Sequence, residues 1–241
     1  MYRVQKILSM IGVLSRRECE RNILLGLVKV NGAIASLGTK VIVGDTITFN
    51  KISYVISLDL FDKKLEMIVY HKPCGEVVTR KDNSNRPTVF ENLPDIDGKW
   101  INIGRLDLET SGLLLFTNNG DMANKMMHPS SNISRTYEVL IKGKFDDDKK
   151  NKCLKGLDIG RSETGKLMSI IPSKSIINKY TINLQTGKNR EIRRIFEAIG
   201  CRVIQLKRIE YDSISLESLK VGKNRYLTDN EIESLSISIV D

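Results

Sequence analysis

A short polar segment that leads directly into an apolar run constrains this chain more than any other feature. Gly104 and Gly112 bracket the polar segment, and glycine adopts backbone angles that other residues avoid, so the segment can present side chains at a cleft. The apolar run 113–116 predicts a short buried strand. Asp107 therefore lies in the polar segment just before a buried strand, with Arg105 two residues before it. This spacing fits a structural ion pair and a reacting carboxylate equally well.

Length and composition indicate a globular protein of the reducing cytoplasm. The 241 residues suffice for a main domain and a smaller one. The sequence contains no apolar run of membrane-spanning length and no secretory signal at its start, so we expect a cytoplasmic protein without a membrane partner. The four cysteines form no CxxC pair and the two histidines belong to no metal-spacing cluster. We therefore expect neither a disulfide framework nor a metal site.

The charge balance favours a polyanionic partner. The formal net charge is +9, from 38 basic and 29 acidic residues, and such an excess is the electrostatic footprint of nucleic-acid binding. Residues 1–50 hold seven Lys or Arg against three Asp or Glu, mainly on two predicted helices and their connection. A solvated helix face is one interpretation. An Arg-Arg pair at the start of the second helix, before a small hairpin, favours contact with phosphates.

Local signals define a small module at the start of the chain. Ser15 and Glu18 form the sequence pattern of a capping box, and Asn31-Gly32 is a strong hairpin turn. The segments 3–8, 12–18, 26–32 and 43–45 resemble the S4 RNA-binding domain, a family that holds structured RNA with its two helices. We therefore predict an S4-like domain with a connecting strand over residues 1–60 and a second domain over 61–241. The predicted RNA contacts are Arg3, Lys6, Arg16, Arg17, Arg21 and Lys29.

Two elements of the second domain carry further candidate residues. Residues 134–141 alternate as a strand that includes Tyr137, and residues 188–200 predict an amphipathic helix with Ile192 on its apolar stripe. Cations near a helix start oppose the helix dipole, so the cluster there suggests an anion site, although a solvated face is the alternative; its members are Arg190, Arg193 and Arg194. Residues 144–175 are weakly periodic and predict only short strands at 154–159 and 167–171.

These residue types suit covalent chemistry on a nucleotide. A carboxylate can attack a sugar or an electrophilic ring carbon, and an arginine partner keeps it ionised. A tyrosine can stack on a base or move a proton. The target base must leave its helix first, so basic groups should grip the flanking phosphates.

The segment 104–120 resembles the signature of the small-subunit rRNA pseudouridine synthase family, which also contains the types B, E and F that modify large-subunit rRNA. Further matching segments are 71–75, 86–89, 128–129, 135–139 and 187–194, so the resemblance covers about residues 66–230. It implies an α+β fold: a small N-terminal S4-like α/β module, and a catalytic domain built on a mixed, mostly antiparallel sheet flanked by helices.

The same resemblance implies roles for the candidate residues. Asp107 takes the place of the nucleophile. Tyr137 stacks on the base and serves in proton removal, and Arg193 pairs with the aspartate. Arg105 helps in base flipping and Ile192 packs against the site. The remaining predicted substrate contacts are Asn189, Arg190 and Arg194. The family requires no cofactor.

The expected function is therefore isomerisation of a uridine in ribosomal RNA to pseudouridine by a monomeric enzyme. Lys188 stands where the family more often has arginine, so its grip on phosphate lacks the bidentate fork. We favour large-subunit 23S rRNA over small-subunit 16S rRNA. A non-catalytic rRNA-binding assembly factor is an alternative. An Asp-dependent phosphoryl-transfer enzyme would need further metal-binding acids, and only Glu109 and Asp121 are near.

Overall fold

Two units with separate cores make up the chain. The computed structural model describes residues 1–62 and 64–238. The first unit comprises Met1–Leu65 with Ile96–Lys99, and the second comprises Glu66–Asp95 with Trp100–Asp241. The division falls after residue 65 and not after residue 60, because Phe61 stacks on Tyr2 with ring centroids 4.4 Å apart and packs on the first core.

The first unit consists of two helices against a small sheet. Its strands pair antiparallel in the order β3-β2-β5-β6, and β1 pairs with β4. Helix α1 and helix α2 bury apolar side chains such as Ile7 and Ile23 against Ile47 of the sheet. The elements are β1 Tyr2–Arg3, α1 Val4–Met10, α2 Arg16–Leu24, β2 Val28–Val30, β3 Ala33–Ile34, β4 Lys40–Val41, β5 Thr46–Phe49, β6 Ile52–Val55 and a 3-10 turn Leu58–Leu60.

Local sequence signals in the first unit are confirmed. The backbone N–H of Ser15 donates to the Glu18 carboxylate at 2.9 Å and the Glu18 N–H donates back to the Ser15 hydroxyl at 3.3 Å, which completes the capping box of α2. Asn31 and Gly32 adopt positive φ values of 49° and 84° between β2 and β3. Two positive φ angles characterise the tight hairpin turn that this dipeptide predicts.

The second unit is built on one large sheet. The strands of the large sheet are β7 Met67–Lys72, β8 Ile101–Ile103, β9 Ser111–Thr117, β10 Arg135–Lys142, β13 Ser169–Pro172, β14 Lys179–Leu184, β15 Arg202–Tyr211, β16 Ile214–Ser215 and β17 Asn224–Tyr226. Two further strands, β11 Leu157–Asp158 and β12 Thr164–Gly165, pair with each other in a separate hairpin. The helices of the second unit are α3 Gly120–Met127, α4 Asp147–Lys155, α5 Glu191–Ala198 and α6 Asp229–Ser238, with 3-10 turns Val89–Asn92 and Pro129–Ser131.

The large sheet is mixed and mostly antiparallel, which confirms the expected fold class. Its strand order is β13-β14-β10-β15-β9-β7-β17, with β16 on β15 and β8 on β9. Strands β15 and β9 pair in parallel, whereas β10 pairs antiparallel with both of its neighbours. Strand β7 is buried along its whole length. The sheet therefore brings the residues that precede β9 close to β15, although about ninety residues separate them in sequence.

Two elements differ from the sequence prediction. Residues 147–155 form helix α4 where part of a strand was predicted, because its single buried residue, Cys153, leaves almost no apolar periodicity to read. Asp146 caps this helix by accepting from the Lys149 N–H at 3.1 Å. Helix α5 begins at Glu191 and not at residue 188, because Arg190 has a left-handed φ of 50° and occupies the N-cap.

Candidate active site

A cavity of about 1120 Å³ in the second unit collects most of the predicted site residues. It lies over strands β10 and β15 and is bordered by the Asp107 loop, residues 104–110, and by the α5 loop, residues 185–190. The predicted residues that line it are Arg105, Asp107, Tyr137, Asn189, Arg190, Ile192 and Arg193.

The backbone of the Asp107 loop is held while the Asp107 side chain stays free. The Thr110 N–H donates to the Asp107 carbonyl at 3.0 Å, and the Gly75 N–H donates to the Leu108 carbonyl at 2.8 Å. Among the residues that the structure describes, the half-buried Asp107 carboxylate has no hydrogen-bond or ion-pair partner, and the exposed Arg105 side chain has none either. The carboxylate is therefore available to an incoming group.

Lys72 anchors this loop from inside the protein. Its side chain is fully buried, and its ammonium donates to the carbonyls of Pro73 at 2.8 Å and Thr110 at 2.9 Å. Burial lowers the pKa of Lys72, and the neighbouring acidic groups, Asp107 among them, act in the opposite direction. The 71–75 motif contained Lys72, but its burial and its contacts were not predicted.

Gly112 lets strand β15 approach the loop closely. It stands opposite Arg208 in the parallel pair of β9 and β15. A Cβ atom at Gly112 would lie 2.1 Å from the Arg208 carbonyl oxygen, and the φ angle there is +108°. Only glycine fits this position without displacing one of the two strands.

Arg193 pairs with Glu109 and not with Asp107. Its Nη2 donates to the Glu109 carbonyl at 3.0 Å, and its Nη1 lies 3.6 Å from the Glu109 carboxylate. Arg190 reaches the same carboxylate at 3.8 Å. Glu109, which was considered only as a metal-binding acid, thus ties the start of α5 to the Asp107 loop.

Buried Glu191 shapes the α5 loop. Its carboxylate accepts from the Thr186 hydroxyl at 2.6 Å and from the Lys188 N–H at 2.9 Å. Asn189 accepts from Arg161 at 3.0 Å through its side-chain oxygen. These bonds hold the loop in the conformation that places Arg190 at the cavity.

Arg194 makes its bonds within the protein, and its contact with substrate stays a prediction. Its guanidinium forms an ion pair with Glu163 at 2.6 Å and donates to the carbonyls of Ile159 at 2.9 Å and Gly160 at 2.7 Å. It does not belong to the cavity lining among the described residues. It fastens the β11–β12 hairpin to helix α5.

One wall of the cavity is an alternation of tyrosines and arginines. Buried Tyr137 on β10 stands opposite Arg208 on β15. The guanidinium carbons of Arg208 and Arg135 each lie 5.1 Å from the centroid of the Tyr211 ring. The Tyr211 hydroxyl donates to the Met126 carbonyl at 2.9 Å. Sequence reasoning did not assign site roles to Arg135, Arg208 or Tyr211; the strand pairing brings them to the cavity.

Comparison with known proteins decides the family. The family model described as RNA pseudouridylate synthase matches residues 66–198, more than half of the chain, and includes the Asp107 loop, Tyr137 and the whole of α5. The chain belongs to the RNA pseudouridylate synthase family. The S4 domain model matches residues 3–47 in front of it.

Relatives of this synthase family share the order of the two regions. Proteins called "Ribosomal large subunit pseudouridine synthase B" are 38% identical in Pseudomonas aeruginosa, covering 97% of this chain and 61% of the relative, and 41% identical in Xylella fastidiosa, covering 97% and 50%. The chain thus spans half to three-fifths of these relatives. A Buchnera aphidicola protein of the same name is 38% identical over 97% of this chain and 96% of the relative.

A solved structure supports the fold of the chain. The crystal structure called "pseudouridylate synthase" has a TM-score of 0.68 and 25% sequence identity, and the match covers 98% of this chain and 100% of that chain. The likeness therefore includes the S4 region as well as the large sheet.

The predicted RNA contacts of the S4 region are basic and mostly exposed. Lys6 is half-buried, with its ammonium 5.5 Å from the Tyr2 ring centroid. The exposed members are Arg3, Arg16, Arg17, Arg21 and Lys29. Arg16, Arg17 and Arg21 share helix α2, so the helix presents three cations.

Two further features of the described residues bear on other functions. No group of three or more His, Cys, Asp or Glu side chains within residues 1–62 and 64–238 is placed to hold a metal ion. No helix in the described part of the chain combines the length and the apolar character needed to cross a bilayer.

Proposed function

We propose that this chain converts a uridine of 23S ribosomal RNA to pseudouridine, with Asp107 as the nucleophile. The observation that carries the proposal is the partner-free Asp107 carboxylate, which lines a cavity together with a buried tyrosine and several arginines. Membership of the synthase family supports the reaction, and the names of the relatives support large-subunit rRNA over small-subunit 16S rRNA.

The proposed reaction rearranges one nucleotide without net gain or loss of atoms. Asp107 forms a covalent bond to the nucleotide and the bond between the base nitrogen and the sugar breaks. The base rotates, a ring carbon bonds to the sugar, and the carboxylate is released. The proton on that carbon moves to the ring nitrogen that was freed, and Tyr137 is the proposed group for its removal.

The arrangement around the cavity supports a base that has left its helix. Arg105 is exposed and Arg190 is half-exposed, so both suit contact with flanking phosphates. Asn189 and buried Ile192 complete the proposed substrate contacts. Arg193 acts on the Asp107 loop through Glu109, so its proposed role is to position the loop that presents the nucleophile.

Substitution of the nucleophile tests the activity. Asp107→Asn in the full chain should abolish pseudouridine formation, because an amide cannot form the covalent bond, while binding of rRNA stays within about twofold of the parent. Product is read as carbodiimide-dependent stops in primer extension. Asp147→Asn makes the same chemical change at an exposed position of α4 and should leave activity unchanged. Product formation by the Asp107→Asn chain would refute the catalytic assignment.

The same mapping on rRNA from a deletion strain identifies the target. Loss of one pseudouridine from 23S rRNA supports the proposal, and loss from 16S rRNA assigns the reaction to small-subunit rRNA. If every pseudouridine remains, the chain is a non-catalytic rRNA-binding assembly factor. The free carboxylate of Asp107 argues against that last outcome, because a purely structural aspartate would be expected to hold a partner.

A further inference from the structure

Arg208 is a buried cation whose donors are mostly unused. Its side chain lines the cavity, yet the residue is only 2% exposed. Its Nε–H donates to the Leu113 carbonyl at 2.7 Å. Nη2 is sealed from solvent without a partner, and Nη1 has no hydrogen-bond partner among the described residues. One of the five N–H donors of the guanidinium is therefore satisfied.

Such an arrangement needs a physical reason. Burying a charged donor without a partner is unfavourable, and most buried polar groups in folded proteins are paired. The Tyr211 ring, 5.1 Å away, stabilises the charge through its π face but accepts no conventional hydrogen bond there. Because Nη2 is sealed even from water, the nitrogen that meets a group entering the cavity is Nη1.

The chemistry and depth of the site identify that group. A guanidinium offers only donors, so the entering atom must be an acceptor. Arg105 and Arg190 are the more exposed cations of the same cavity and suit phosphates, whereas Arg208 stands opposite buried Tyr137 in the sheet. The part of a flipped nucleotide that goes deepest is its base.

We infer that Arg208 is a substrate-positioning residue that donates a hydrogen bond to a carbonyl oxygen of the flipped uracil. The inference rests on the proposed function and adds a contact to it. Nε fixes the guanidinium on Leu113, next to Gly112, so the terminal nitrogens are held in place before the base arrives. The bond would orient the base while it is detached from the sugar.

Thio-substituted RNA tests the contact. The full chain is given a stem-loop on which it forms pseudouridine, with the target uridine unmodified, 2-thio or 4-thio; sulfur is a weak acceptor. In the parent, one of the two thio RNAs should react about tenfold more slowly in single turnover, as for loss of a charge-assisted hydrogen bond. In Arg208→Lys and Arg208→Met, the same thio RNA and the unmodified RNA should react within about twofold of each other.

The comparison within each variant removes any general effect on folding, because both RNAs meet the same protein. Arg202→Lys on the exposed face of strand β15 is the matched control and should keep the parent's thio effect. A thio effect that is absent in the parent, or equal in the parent and the Arg208 variants, would overturn the inference. A parent chain that forms no pseudouridine on any RNA would count against the proposed function instead.

Discussion

Lys72 shows how much one buried residue contributes to the loop that presents Asp107. Its ammonium satisfies two backbone carbonyls, and one of them, at Thr110, ends the loop that presents Asp107. The charge stays inside because both bonds are made and acidic groups lie near. The position of the Asp107 loop thus depends on a residue whose own side chain is buried.

Lys72→Met should destabilise the protein and slow isomerisation. Methionine fills a similar volume but leaves the carbonyls of Pro73 and Thr110 without donors, so the free energy of unfolding should fall by about 1–3 kcal/mol. Urea unfolding measures this change, and single-turnover pseudouridine formation measures the effect on the loop. Lys166→Met, at an exposed position, is the control and should change neither quantity. Unchanged stability and rate for Lys72→Met would show that the buried ammonium does not anchor the loop.

Sequence motifs predicted several residues that line the cavity, but they did not predict which groups those residues bind. Asp107, Tyr137 and Arg193 were predicted from motifs, and all three line one cavity. The contact of Arg193 with Glu109 joins groups 84 residues apart, and no local pattern encodes it. Arg208 was missed because charged residues are exposed in most proteins and sequence alone gives no sign of its burial.

At the scale of elements, the pairing of β9 with β15 depends on a single glycine. Gly112→Ala should cost about 3 kcal/mol or more, because the new Cβ would overlap the backbone of β15 and a positive φ adds strain. Gly104→Ala, in the Asp107 loop that precedes β9, meets nothing within 4 Å and has a φ of +72°, so it should cost only about 1 kcal/mol. Thermal unfolding of the two variants measures the difference. Equal losses would show that β15 can shift away from Gly112.

Helix α6 is anchored by an ion pair that should make stability depend on pH. Arg225 donates to both oxygens of Glu231 at 2.9 and 2.8 Å. These bonds lower the pKa of Glu231 below its ordinary value. A lowered folded-state pKa stabilises the protein above the unfolded pKa, and this contribution is lost as the pH falls through the folded pKa.

Glu231→Gln should therefore reduce stability near neutral pH by about 1 kcal/mol and have less effect in acid. The measurement is the urea midpoint at about pH 7 and about pH 3, where the parent should lose more stability between the two than the variant. Glu233→Gln, on the same helix with an exposed side chain, should follow the parent at both values. A parent and Glu231→Gln variant with parallel pH curves would rule out the linkage.

Elements were predictable where their signals are local. The capping box of α2 and the Asn31-Gly32 turn involve residues within a few positions of each other, and both form. Helix α4 was missed because a helix with one buried residue leaves no apolar stripe in the sequence. The left-handed Arg190 that delays the start of α5 depends on the buried Glu191 network, which local propensity does not reveal.

At the scale of the whole molecule, the resemblance predicted the α+β class and the mixed sheet, and both are confirmed. Composition added the basic character, a net charge of +9. The extent of the first unit was not predicted, because Ile96–Lys99 joins it from a distant part of the sequence: Lys99 donates to the Gly12 carbonyl at 2.7 Å. A long-range contact of this kind has no signature in composition or periodicity.

The charge of α2 should set affinity for rRNA separately from the chemistry. We expect a full chain with Arg16→Gln, Arg17→Gln and Arg21→Gln to bind rRNA more weakly. Each lost phosphate contact should reduce the slope of log K against log salt by about 0.7–0.9, and so by at most about 3 for the three. Filter binding from low to high salt measures that slope.

The rate of pseudouridine formation at saturating RNA should stay near that of the parent, because these arginines belong to the first unit and the cavity residues to the second. Lys40→Gln with Lys51→Gln also neutralises exposed cations of the first unit, but outside α2, and should leave the salt slope close to the parent value. An unchanged slope in the triple variant would remove α2 from the RNA-binding surface. An unchanged slope together with a lost rate at saturation would instead make these arginines part of the catalytic step.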